Sequence, residues 1–94
     1  IRAEVAADLD RLRGDAAAAS TIAERWVADE DAALRLLFAA DIAAAHARSA
    51  PAPDARALVR WFDQANRTRE LLRTTVRADL AVLELLLAWR VARA

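Results

Sequence analysis

Residues 80–91, LAVLELLLAWRV, are apolar except for Glu84 and Arg90. On a helix, Leu80, Leu83 and Leu87 fall on one side, while Val82, Leu86 and Trp89 fall on the other. A helix lying on a protein surface shows one apolar stripe and a charged back. This segment has no charged back, so it needs apolar company on at least two sides. It is too short to span a bilayer, which takes roughly 20 apolar residues. It is therefore either the central helix of a small bundle or a helix with one face on its own bundle and the other on a partner subunit.

The rest of the chain must supply that company. Ninety-four residues make one domain, with room for one modest core and little for a deep substrate cavity. Alanine and leucine dominate, there is one Gly and two Pro, and alternating strand patterns are absent, so the expected fold is all-α. Without cysteine the chain has no disulfide, thiolate metal site or cysteine nucleophile. Arg2, Glu4, Asp8 and Asp10 interrupt any leader-like apolar run, which points to a cytoplasmic protein. A chain that begins with Ile and contains no Met is expected to be a piece of a longer polypeptide.

Five helices are expected. The first covers residues 1–13, with Ile1, Val5, Leu9 and Leu12 on one face. Gly14 stands where a helix C-terminus favours glycine, and Asp15 can cap a second helix over 16–28 that presents Ile22 and Trp26. Asp29, Glu30 and Asp31 suit the start of a third helix over 30–48, facing the positive end of its dipole rather than a metal. Leu34, Leu37, Phe38, Ile42 and Ala45 are its expected inner face, and Asp41 beside them is expected to meet an arginine. The linker SAPAPD over 49–54 ends in Asp54, which can cap a fourth helix running to about residue 73. Leu58, Trp61, Phe62, Ala65 and Leu72 are expected inside it. Thr74, Thr75 and Val76 break the pattern, and the fifth helix begins near Arg77 or Asp79.

The candidates for chemistry are few. All fourteen basic residues other than the histidine are Arg, yet the formal net charge is zero, which argues against a general phosphate binder. Residues 1–54 carry six Arg against ten acids, and residues 55–94 carry eight Arg against four acids. This asymmetry can be neutralised within the fold or can orient one copy against a neighbour. Arg69, Arg73 and Arg77 follow at four-residue spacing, a row read as a solvated face since no aromatic ladder interleaves with it. His46, the lone histidine, falls in a last helical turn, where the dipole favours its charged form. No phosphate-binding glycine loop, no HExxH and no nucleophilic pair is present.

Residues 61–89, WFDQANRTRELLRTTVRADLAVLELLLAW, carry a resemblance. An Arg-Glu-x-Leu step at Arg69 leads through a short turn into a last helix that starts at Asp79 and is rich in leucine. This resembles the C-terminal collar domain of the delta-prime subunit of the bacterial DNA polymerase III clamp loader. Residues 26–41, WVADEDAALRLLFAAD, look like the collar's preceding helices. The resemblance implies an oligomerisation domain of five helices that packs beside the gamma, tau and delta subunits in a pentameric collar. It further implies that ATP, any zinc and any arginine finger belong to N-terminal AAA+ domains absent here. The domain itself would then have no catalysis, no cofactor, no small-molecule substrate, and no direct contact with nucleic acid or membrane.

The family supplies no interface that transfers residue by residue, so the expected interface comes from the pattern of this chain. Leu86, Trp89 and Val91 are the apolar candidates, with Arg69, Arg73, Arg77 and Arg90 as their charged neighbours. Two other readings compete. Residues 1–12 superficially resemble the first helix of the all-helical chorismate mutases, but the rest of the chain does not continue that pattern and has no Lys. A helical ligand-binding regulatory domain would instead need a closed cavity walled by Trp61, Leu86 and Trp89.

Overall fold

The computed structural model describes residues 1–74 and 77–94. It consists of α1 (Arg2–Gly14), α2 (Ala18–Trp26), α3 (Ala32–Ser49), α4 (Ala52–Leu71) and α5 (Ala78–Ala92), with no strand among the described residues. The expected all-α fold of five helices is what forms. α3 and α4 make the most extensive pairing, and α5 packs on α4, α2 and α1.

Helix ends explain much of the layout. Gly14 is the last residue of α1, and its backbone stays out of the left-handed region. Asp15 does not cap α2: Ala17 holds that position, and the Asp15 carboxylate instead lies 3.6 Å from Arg11. Between α3 and α4 the linker shrinks to residues 50–51. Ala50 is extended (φ −89°, ψ 154°), as a residue before proline must be. Pro51 is the N-cap of α4, and Pro53 sits in the first turn, where no helical N–H bond is lost. Asp54 therefore lies inside the first turn rather than at the cap. Of the expected break after α4, Thr74 lies beyond the helix end; Thr75 and Val76 lie outside the described residues.

Three tryptophans set the core. An indole brings a large apolar area with one N–H that must be satisfied when buried. The Trp26 Nε1–H donates to the Asp8 carboxylate (2.8 Å), that of Trp61 to the Leu85 carbonyl (2.9 Å), and that of Trp89 to the Leu9 carbonyl (2.9 Å). Each bond ties two helices. Trp61 and Trp89 also meet edge-on, with ring centroids 4.7 Å apart. Around them Val5, Leu9, Leu12, Ile22, Leu36, Leu58, Leu85 and Leu86 are buried. The expected inward set of α1 is borne out except at Ile1, which is 45% exposed.

α3 is rotated from expectation. Leu36, Ala39, Ala40 and Ala43 are buried, whereas Leu34 and Leu37 are exposed; of the expected set Ile42 is buried and Phe38 and Ala45 are half-buried. The alanine face allows α3 to approach its neighbours closely, and Arg35 is drawn inward with it. Its guanidinium forms a fork to Asp29 (2.7 and 2.9 Å) and also donates to the Trp26 carbonyl (2.8 Å). That carbonyl is one of those left unpaired at the end of α2. Asp29 thus anchors Arg35 instead of capping α3, whose N-cap is Asp31.

Candidate interaction surface

α5 is two-sided, but with its sides exchanged relative to expectation. Val82, Leu85, Leu86 and Trp89 are at most 1% exposed and face the core. Leu80, Leu87 and Val91 are 53%, 44% and 78% exposed and stand on the opposite side, with exposed Glu84 among them. Positions 80, 84, 87 and 91 alternate steps of four and three, the spacing of a single helical ridge. Two of the three apolar interface candidates are therefore corrected. Leu86 and Trp89 are committed to the monomer core, where Trp89 holds both Leu9 and Trp61; Val91 alone is available to a partner.

The ridge flanks a groove where α5 runs beside α4. At one end Gln64, Arg67 and Leu71 of α4 face Ala81 and Glu84 of α5. At the other end Ala57 and Arg60 face Ala88 and Val91. These hollows have volumes of about 430 and 280 Å³ and are open to solvent. Small alanines on both helices keep the surface shallow, while leucines and valine stand above it. Glu84 makes no ion pair among the described residues.

The arginine candidates do not form one row. Arg69 is half-buried in α4, Arg73 lies beyond its end, and Arg77 is the N-cap of α5. Arg69 and Arg73 border a groove of about 690 Å³ whose apolar lining includes Leu34, Leu37 and Leu72. This is where the leucines turned out of the α3 core reside. Arg73 lies 3.7 Å from Glu70 with both side chains exposed, a pairing of little energetic weight. Arg77 is engaged by a fork to Asp79 (3.1 and 2.8 Å). Hydrogen bonding from Arg77 holds the Asp79 carboxyl below its ordinary value, and Asp79 in turn raises that of Arg77. Arg90 is turned inward: its Nε–H donates to the Leu12 carbonyl at 2.9 Å, satisfying an acceptor at the end of α1. Arg77 and Arg90 are thereby occupied inside the chain.

Buried polar groups were the functional-looking residues that sequence reading missed. Asp8 is 8% exposed among Val5, Leu9 and Leu12, and its carboxylate accepts two bonds from Arg25 (2.8 and 3.0 Å) and one from Trp26. Glu4 also accepts from Arg25 at 2.8 Å. The hydrogen bonding that Arg25 donates to Asp8 raises the Arg25 pKa. Both Asp8 oxygens accept hydrogen bonds, three in all, and the cluster fastens α2 to α1. Asp41 does meet an arginine, Arg2, at 3.2 Å on the surface. His46 departs from expectation: burial, then the charges of Arg93 and Arg13, lower its pKa instead of the helix dipole raising it.

Among the described residues no three His, Cys, Asp or Glu side chains gather as a metal site, and no helix is long and apolar enough to cross a membrane. The walls proposed for a ligand cavity pack on one another: Trp61 and Trp89 touch, and Leu86 is fully buried. No family model, no curated protein and no solved structure matches the chain.

Proposed function

We propose that this chain is a non-catalytic assembly domain of the clamp-loader collar type, which docks the outer ridge of α5 against neighbouring subunits. The observation that carries the docking surface is the exposure of Leu80, Leu87 and Val91 on one side of a helix whose other side fills the core. Apolar side chains aligned on one ridge lose unfavourable water contact when a partner covers them. Val91, at 78% exposure, has the most to gain. Glu84 in the middle of the ridge supplies a charge that a cationic partner residue can meet, fixing the register of docking.

The resemblance of residues 61–89 and 26–41 to the delta-prime collar supports naming the partners as the gamma, tau and delta subunits of the same cytoplasmic complex. In this reading ATP binding and hydrolysis during sliding-clamp loading belong to other domains, and the collar supplies side-by-side association. The test is co-purification of the tagged chain with those subunits, using the unaltered sequence, Leu87→Asp and Val91→Asp. Capture by the unaltered chain and its loss in both variants is the expected result. Failure to capture any of these subunits removes the clamp-loader assignment. Capture unaffected by either substitution removes the α5 ridge as the docking surface.

A further inference from the structure

A second region has chemistry that the assembly reading leaves unused. α1, α3 and α5 meet around a cleft of about 270 Å³, floored by Leu9, Ile42 and Trp89. Its polar lining is Arg13 and Asp10 from α1, His46 from α3, and Arg93 at the end of α5. Arg13 is only loosely paired with Asp10, at 3.8 Å with both side chains largely exposed. Arg93 has its guanidinium carbon 5.9 Å from the centre of the Trp89 ring, and its Nε–H is buried without a hydrogen-bond partner among the described residues.

We propose that this cleft binds a small oxyanion, a carboxylate or phosphate group, held by Arg13, His46 and Arg93. Two guanidinium groups and an imidazole face one carboxylate, so positive charge is in excess there even with the histidine neutral. An oxyanion accepts from the guanidinium groups that line the cleft, and its charge offsets the mutual repulsion of the cations. The apolar floor lowers the local dielectric and strengthens these contacts relative to a solvated arginine pair. The neighbouring C-termini of α1, α3 and α5 do explain why cations gather at this place. They do not raise the pKa of His46, which lies below its ordinary value. The inference does not rest on the clamp-loader reading.

The single histidine makes the test direct. The ring-proton resonance of His46 in the intact chain is followed through pH titrations in sodium chloride, sodium acetate and sodium phosphate at equal ionic strength. Oxyanion binding raises the titration midpoint by about 0.5 in pH relative to chloride, as preferential binding to the imidazolium requires. A rise with acetate alone identifies a carboxylate, as on a protein side chain. A rise with phosphate alone identifies a phosphate group, and a rise with both identifies the shared oxyanion chemistry. Arg93→Gln and Arg13→Gln should each abolish the difference between salts; Arg13 is exposed enough for that variant to fold normally. Equal midpoints in all three salts, or a difference that survives both substitutions, overturns the site.

Discussion

Asp8 and Gly14 lie six residues apart on α1 and illustrate opposite relations between residue type and position. Asp8 looks misplaced on an apolar face, yet its carboxylate holds Arg25 and the Trp26 indole together. Asp8→Ala leaves the Trp26 N–H buried without an acceptor and should lower stability by about 2–3 kcal/mol in urea denaturation. Glu4→Ala removes only the exposed partner of the same arginine and should cost less than about 1 kcal/mol. Equal losses would mean that burial of Asp8 contributes nothing. Gly14 is the reverse case, a glycine without a conformational need. Its φ is not positive, and a β-carbon added there meets nothing within 4 Å. Gly14→Ala should therefore raise stability by about 0.5–1 kcal/mol, chiefly by reducing the freedom of the unfolded chain. A lower thermal midpoint for this variant would contradict the assigned backbone geometry.

At the scale of the element, α5 separates residues that fold the domain from those free to dock it. Leu86→Ala opens a cavity in the core, where Leu86 is fully buried, and should cost about 2–5 kcal/mol of stability. Leu87→Asp, one residue on, should change stability by no more than about 0.5 kcal/mol. If the ridge docks, the same change should weaken association by more than about 2 kcal/mol. Denaturation and binding measured on both variants test this crossed pattern. Similar stability losses at 86 and 87 would place both residues inside. The sequence identifies α5 as apolar on both sides but does not say which side is outermost, because leucines occupy each. α3 carries the same ambiguity. Leu34 and Leu37 compete with an alanine face, and close helix approach together with the Arg35 clasp turns the alanines inward. Helix boundaries were more legible, since the proline pair, the single glycine and the acidic cluster punctuate the chain locally. Asp8 and Arg35 were illegible as buried residues because their burial depends on groups brought together by tertiary folding.

For the whole molecule, the distribution of pKa shifts predicts how stability depends on pH. Hydrogen bonding from Arg35, then from the Asp31 backbone, lowers the Asp29 pKa from 3.8 to about 2. Asp79 is lowered by Arg77. In each case the unfolded chain binds protons at a higher pH than the native fold. Their contribution is thus complete above roughly pH 4 and is lost as the pH falls through the folded values. His46 also has a lowered pKa in the fold, so protonation again favours the unfolded chain, beginning as the pH drops through about 6.5. In chloride solution the urea midpoint should be level above pH 7, decline modestly below 6.5, and decline more steeply below 4. His46→Gln should flatten the upper decline. Asp29→Asn should reduce the lower decline and depress the neutral plateau, because the buried Arg35 loses its carboxylate partner. A stability that increases on acidification from pH 7 to 5 would require His46 to gain protons more readily in the fold, contrary to its position beside Arg13 and Arg93.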